Sequence, residues 1–128
     1  MIGGMAGAIF AVVLAMLAAV VAVLRRRLRA KAAVLRDYVT VVLPRLEALY
    51  GQLHEYEPVQ VDRAMEETGV SRRFRVHAYA LFCSRADFVN HPACARRDYD
   101  KLNAKMLLVH RRYVERPWGG GKMIGSVL

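Results

Sequence analysis

An uncharged run from Ile2 to Leu24 limits what this chain can fold into more than any other feature. The run stops at three consecutive arginines, Arg25 to Arg27. As an α-helix it measures about 34 Å, close to the ~30 Å hydrocarbon core of a bilayer. No later stretch is as long and as apolar, so the sequence predicts a single transmembrane anchor over residues 1–24.

The positive charge of the chain is concentrated directly behind that run. Of the net charge of +9, residues 25–36 supply six cations and no acid, and the rest of the chain contributes only +3. We interpret residues 25–36 as a basic juxtamembrane helix. Because positive charge resists translocation, the N-terminus is expected outside and the C-terminal domain in the cytoplasm, at a bacterial inner membrane. The cations expected at the membrane surface, where they also attract anionic headgroups, are Arg25, Arg26, Arg27, Arg29 and Lys31.

A cleaved signal peptide is the competing interpretation of the N-terminal run. It fits less well, because no Lys or Arg precedes the run, the run is longer than a usual signal core, and the basic cluster follows it. In the cytoplasm, Cys83 and Cys94 would stay reduced, so no structural disulfide is expected.

Small residues recur at every fourth position of the anchor, at Gly3, Gly7, Ala11 and Ala15. This spacing places them on one helix face, where two membrane helices can approach closely. A homodimer formed through the membrane helix follows as one hypothesis. Free use of alanine in apolar segments explains the same spacing without association.

The anchor helix has no local reason to stop at the membrane surface, because neither glycine nor proline occurs between Gly7 and Pro44. Apolar residues follow in steps of four and three from Leu28 to Leu53, as in a heptad seam. The seam suits either a dimeric coiled coil or packing against later helices of the same chain. Pro44 predicts a kink or a new helix start, and Gly51 predicts the end of that helix.

Residues 37–116 are predicted to form an all-α domain of four to five helices, because no stretch alternates with a period of two. The segment after Ser71 is apolar on nearly every side, which predicts a central buried helix. Residues 117–128 are rich in glycine and are predicted to form a flexible tail. Helix starts are indicated by Pro58, Ser71, Ser84 and either Asp98 or Asp100.

The run Tyr79-Ala-Leu-Phe82-Cys83-Ser84-Arg-Ala-Asp87-Phe88 resembles the Tyr-Ala-x-Phe-Cys-Ser-x-x-Asp-Phe motif of a family of small bacterial proteins of unknown function. Weaker matches extend the similarity over about residues 36–107, at Pro44, Tyr50-Gly51, Tyr56-x-Pro58-x-Gln60-Val61 and Tyr99-Asp100. The resemblance implies a compact helical module and carries no activity, ligand or catalytic residue. Members of the family are mostly soluble, so the membrane anchor is a departure of this chain.

The polar stretch with the clearest binding chemistry contains Ser71, Arg72, Arg73 and Arg75. If Ser71 caps a helix, three guanidinium groups and free backbone N–H groups meet at its start, which suits a phosphate or a carboxylate. Arginines there oppose the helix dipole at a cost of about 0.3–1 kcal/mol each, and a bound anion offsets that cost. The alternative is three solvated arginines without a ligand.

Metal binding and catalysis find little support in the sequence. His77, Cys83, His91 and Cys94 lack the paired spacing of a structural zinc site. No serine lies in a Gly-x-Ser-x-Gly elbow, and Gly119-Gly-Gly-Lys122 lacks two defining residues of a phosphate loop. We therefore expect no metal, no cofactor and no enzymatic activity.

The expected function is that of a membrane-anchored, non-catalytic adaptor, with the lipid bilayer and a partner protein as its binding partners. The alternative is a module that binds anionic lipid or phosphate through residues 71–75 and the juxtamembrane arginines. Nucleic-acid binding is disfavoured, because the domain alone is weakly basic and no recognised motif accompanies its arginines.

Overall fold

The computed structural model describes residues 2–114, and helices account for most of them. In order along the chain these are α1 (Ile2–Asp37), a π-helical turn (Tyr38–Val42), α2 (Leu43–Tyr50), α3 (Pro58–Thr68), α4 (Arg75–Phe82), α5 (Arg85–Asn90), a 3-10 turn (Pro92–Cys94) and α6 (Tyr99–Tyr113). Residues 2–114 contain no strand, which confirms the predicted all-α class. The predicted tail, 117–128, lies outside the described residues.

The chain divides into two compact units, Met1–Ala32 and Ala33–Leu128. In the first unit, every side chain from Gly4 to Ala30 is exposed. Its helix is long and apolar enough to cross a membrane, and none of the apolar window is buried among the described residues. A core helix of a soluble protein would bury its apolar face, so this helix is not packed as such a core helix is.

Pro44 changes the helical register instead of ending the helix. In a regular α-helix its ring would clash with the carbonyl of Thr40, and it has no N–H to donate. The residues before it widen into the π-helical turn, in which the Leu43 N–H donates to the carbonyl of Tyr38. Pro44 then lies in the first turn of α2, and Gly51 caps its C-terminus at φ +86°. The predicted helix start and end are confirmed.

The second unit, which we call the module, has its core around α4, as predicted. Helix α4 packs against α3, α5 and α6, and its residues from His77 to Ala80 are all buried. The predicted heptad seam is buried only in its middle part, from Leu35 to Leu46, whereas Leu28 and Leu53 are exposed. The π-helical turn and α2 pack on α3, so this part of the seam serves the module's own core.

Side-chain caps set two of the helix starts as predicted and fail to set a third. Ser84 and Asp98 each accept the backbone N–H three residues further on, at 3.1 and 3.2 Å. Ser71 does not cap α4, which begins at Arg75. The Ser71 hydroxyl instead accepts the N–H of Arg73 at 3.2 Å. The prediction of Ser71 as an N-cap is wrong, because a local turn takes the hydroxyl that a cap would need.

Candidate functional site

A groove with a volume of about 560 Å³ opens between α4, α6 and the loop that joins α2 to α3. We call it the leucine groove. Its floor includes the buried residues Tyr56, Phe82 and Cys83. Four leucines, one further tyrosine and four polar residues complete its lining, namely Leu43, Leu53, Leu81, Leu107, Tyr99, His54, Glu55, Asn103 and His110.

One face of α6 forms a wall of the leucine groove. Tyr99, Asn103, Leu107 and His110 line it, and their spacing of four, four and three residues places them on the same side of a helix. The Asn103 side-chain amide donates to the carbonyl of Ala80 at 2.8 Å. This bond fastens α6 to α4, so the wall has a fixed position within the module.

Tyr56 holds the opposite wall, a loop that forms no helix between Gly51 and Glu57. Its backbone N–H donates to the carbonyl of Phe82 at 2.7 Å, and its hydroxyl donates to the carbonyl of Gly51 at 2.7 Å. Its ring also meets the ring of Phe82 edge to face, with centroids 6.5 Å apart. Three contacts from one buried residue, one through its backbone and two through its side chain, therefore position the loop on the end of α4.

Leu53 and Leu107 leave a large part of their apolar surface in the groove uncovered. Each of the two leucines is 49% exposed. Covering the exposed half of a leucine contributes about 1 kcal/mol. Leu108, the next residue of α6, is 65% exposed and does not line the groove. The groove is thus a candidate docking surface with a natural control residue beside it.

The sequence alone did not reveal this groove. It grouped Leu53 with the heptad seam and gave no role to His54 and Glu55, because the groove joins segments that lie about 50 residues apart in the chain. The available signal was Tyr56, an aromatic residue inside a short connection rich in polar residues. A buried tyrosine in a loop indicates that the loop is packed.

The cysteines of the module are buried and have free thiols. Burial raises the pKa of the Cys83 thiol to about 12, with a smaller contribution from Asp87. Burial also raises the pKa of Cys94. Since the thiolate is the nucleophilic form, both cysteines are poor nucleophiles at neutral pH.

The predicted anion-binding residues lie together in the connection between α3 and α4. Only Arg75 falls in the first turn of a helix; Arg72 and Arg73 precede it, so the predicted placement of all three arginines at a helix start is wrong. The Arg72 guanidinium lies 3.5 Å from the Asp62 carboxylate. The Arg73 guanidinium lies 5.4 Å from the centroid of the Phe74 ring. Two of the three arginines therefore have neighbours within the module, and anion binding stays a prediction.

Two buried tyrosines donate hydrogen bonds at this connection, one to Ser71 and one to Asp62, the neighbour of Arg72. The Tyr38 hydroxyl donates to the carbonyl of Ser71 at 2.6 Å, and burial raises the pKa of Tyr38 to about 12. The Tyr79 hydroxyl donates to the carboxylate of Asp62. Burial, and then that bond to Asp62, raise the pKa of Tyr79. The polar contacts of the connection thus reach into the core of the module.

The residues predicted for the membrane surface and for helix association all belong to α1. Arg25, Arg26, Arg27 and Arg29 are exposed, and Lys31 is half-buried. Gly3, Gly7, Ala11 and Ala15 follow the helix at four-residue intervals, and a Cβ atom added to Gly7 would meet nothing within 4 Å. Both assignments stay predictions. Among residues 2–114, no group of three or more His, Cys, Asp or Glu side chains is placed to hold a metal ion.

Taken together, these features define a small all-helical module joined to an apolar helix that is long enough to cross a membrane. A family model matches residues 26–109, and the chain belongs to that family, DUF6559, which is described as a family of unknown function. This confirms the resemblance to an uncharacterised family. The match begins behind the apolar run and covers most of the module. The comparisons with curated proteins and with solved structures gave no match.

Proposed function

We propose that this protein is a single-pass membrane adaptor that binds a partner protein in the leucine groove. The observation that supports this role is the pair of half-exposed leucines, Leu53 and Leu107, in a groove whose walls are fixed by hydrogen bonds. Protein interfaces commonly place apolar anchor residues in the centre and polar groups around them. The groove offers both, with His54 and Glu55 next to the leucines.

We propose that the lipid bilayer surrounds the apolar helix of the first unit. A dozen large apolar side chains between Met5 and Leu24 are about half exposed, and their burial in a bilayer contributes on the order of 10 kcal/mol. The six cations of residues 25–36 then favour an outside N-terminus and a cytoplasmic module at a bacterial inner membrane. Protease treatment of intact cells tests this orientation. A tag fused after Leu128 should be protected, and its digestion would contradict the topology.

A non-catalytic role is consistent with the chemistry of the groove. The floor of the groove contains a potential nucleophile, the thiol of Cys83. The raised pKa of Cys83 keeps this thiol protonated at neutral pH. Glu55 and the histidines have no serine or threonine beside them in the lining. The groove therefore has the means to bind an apolar segment and lacks an activated nucleophile.

Leu107 and Leu108 provide the test of partner binding. Tagged full-length protein is crosslinked in cells, extracted in detergent and compared as wild type, Leu107→Glu and Leu108→Glu. Both substitutions add the same charge to an exposed position of α6, and each new glutamate lies four residues before an arginine. One protein should co-purify in stoichiometric amount with the wild type and with Leu108→Glu. The co-purified amount of that protein should be at least tenfold lower with Leu107→Glu. Equal capture by all three forms would refute docking in the groove.

We propose anion binding as the second candidate, on the observation that Arg72 and Arg73 remain exposed in the connection between α3 and α4. Anionic lipid headgroups or phosphate would bind there and at the juxtamembrane arginines. Sedimentation of residues 33–128 with phosphatidylglycerol vesicles tests it. Replacing Arg72, Arg73 and Arg75 with alanine should weaken binding at least fivefold more than replacing three other exposed arginines, Arg97, Arg111 and Arg112. Equal losses of vesicle binding in the two triple variants would show that net charge alone accounts for the binding, which would contradict a specific anion site.

A further inference from the structure

The wall of the leucine groove that the loop between α2 and α3 forms belongs to an acidic part of the chain. Residues 46–62, which include this loop, contain neither lysine nor arginine but four acids, namely Glu47, Glu55, Glu57 and Asp62. The chain as a whole has a net charge of +9, so the charge of this segment is opposite to that of the rest. A surface with this charge attracts a cationic partner.

Glu55 brings this negative charge into the groove itself. It is exposed and lines the groove next to Leu53, and none of the lining residues is a lysine or an arginine. Glu55 takes part in none of the ion pairs formed among residues 2–114, whose acids are Asp37, Asp62, Glu67 and Asp100. A carboxylate at the edge of an apolar groove favours a partner that carries a basic residue beside its apolar anchors.

The walls of the groove suit a helical partner better than an extended one. The Leu53 N–H donates to the Tyr56 hydroxyl at 3.3 Å, and the Tyr56 N–H donates to the carbonyl of Phe82 at 2.7 Å. These backbone donors of the loop are therefore engaged within the module, whereas strand addition uses a row of unpaired backbone groups. The other wall is the helix α6, whose backbone bonds are internal. Contacts in the groove are therefore made by side chains, as when a helix lies in an apolar groove.

The length of the groove matches one face of a short helix. The wall on α6 runs from Tyr99 to His110, which is about 17 Å, or three helical turns. A partner helix of this length presents two or three apolar side chains on one face, at intervals of three and four residues. Leu53 and Leu107, each 49% exposed, provide the apolar surface that receives them.

We infer that the leucine groove binds a basic amphipathic helix of the partner protein. Apolar residues of that helix, at intervals of three and four, lie on Leu53 and Leu107, and a lysine or arginine lies beside Glu55. The inference rests on the proposed adaptor function, since it names the chemistry of the segment that the groove receives. It excludes an acidic segment and an extended one.

A peptide selection on the full-length protein tests this chemistry. The protein is reconstituted in nanodiscs of phosphatidylcholine, a lipid without net charge, and a displayed library of random 16-residue peptides is the probe. Peptides that also bind Leu107→Gln are removed, because this substitution changes the groove without adding a charge. The remaining peptides should carry apolar residues at intervals of three and four. Their content of Lys and Arg should be at least twofold higher than that of the starting library.

Charge variants test the role of Glu55 with the most enriched peptide. Glu55→Lys and Glu66→Lys make the same change in net charge, and Glu66 is an exposed residue of α3 that does not line the groove. Fluorescence anisotropy should show at least fivefold weaker binding to Glu55→Lys and a smaller loss with Glu55→Gln. Binding to Glu66→Lys should stay within twofold of the wild type. Added NaCl should reduce the difference between the two lysine variants, because salt screens exposed charges.

The helical conformation is tested in the peptide. Proline at a central position that is not an apolar anchor should weaken binding at least tenfold, because it breaks a helix. Enrichment of acidic or uncharged peptides, equal binding to the two lysine variants, or full binding of the proline peptide would overturn the inference and leave the adaptor role in place. If no peptide distinguishes the wild type from Leu107→Gln and no protein co-purifies in a Leu107-dependent manner, the adaptor proposal fails and the inference fails with it.

Discussion

Replacing Tyr79 with phenylalanine should destabilise the module by about 1.5 kcal/mol. Tyr79 is fully buried, and its hydroxyl donates to the carboxylate of Asp62. A hydrogen bond to a charged group contributes about 1.5–3 kcal/mol. We expect the lower end of that range, because the Asp62 side chain is 28% exposed and keeps Arg72 as a neighbour at 3.5 Å. Phenylalanine retains the ring, so the substitution adds no large cavity.

The buried cysteines supply the assay. Cys83 and Cys94 are each 3% exposed, so iodoacetamide should alkylate them mainly after the module unfolds. Full-length protein in detergent micelles receives a short alkylation pulse at each temperature, and mass spectrometry gives the modified fraction. For a module of this size, a loss of about 1.5 kcal/mol lowers the Tm by roughly 6–12 °C. Tyr113→Phe, at an exposed position, is the matched control and should leave the Tm unchanged.

A double-mutant cycle with Asp62→Ala decides whether the hydroxyl acts through Asp62. Removing Tyr79's hydroxyl should cost about 1 kcal/mol less in the Asp62→Ala background than in the wild type, because the bond is already absent there. If the cost is the same in both backgrounds, the hydrogen bond between the two side chains is not the source of the stability, and the reasoning is refuted.

Three further predictions follow from local features of the module. Tyr38 has a pKa near 10 when the module is unfolded and about 12 when it is folded. Its contribution to the free energy of unfolding is therefore fully present below pH 10 and is lost as the pH rises towards 12. Unfolding followed by circular dichroism should show that Tyr38→Phe loses stability less steeply than the wild type over this range. Ser84→Ala should cost about 1 kcal/mol as a lost N-cap, and Ser71→Ala less than about 0.5 kcal/mol; equal Tm shifts would contradict the cap assignment. Gly69 has φ +72°, so Gly69→Ala should cost about 1–2 kcal/mol and Gly69→Asn clearly less, as urea midpoints would show.

Much of the fold follows from signals that act within a few residues. Pro44 and Gly51 bound α2 because one lacks an N–H and the other adopts a positive φ. Ser84 caps α5 because its hydroxyl reaches an N–H only three residues away. Such rules fail where a competing partner is close by, as at Ser71, whose hydroxyl serves a turn and whose carbonyl accepts a bond from Tyr38.

No local signal predicted the leucine groove as a whole, although Tyr56 indicated that the loop forming one of its walls is packed. Leu53 and Leu107 lie in different elements, and each alone is an ordinary exposed leucine. They share a groove because Tyr56 fixes one wall on α4 and Asn103 fixes the other. Contacts of this kind depend on which distant segments of the chain pack together. The hydrophobic periodicity of the sequence does not contain that information.

The sequence by itself therefore determined the apolar N-terminal helix, the basic segment behind it, the all-helical class and most helix ends, since length, hydropathy and capping act locally. Only the tertiary structure decided which part of the seam is buried, that Arg72 lies against Asp62, and that exposed leucines line a common groove. These features depend on the packing of segments that are far apart in the chain, and the free energy of that packing belongs to the assembled core.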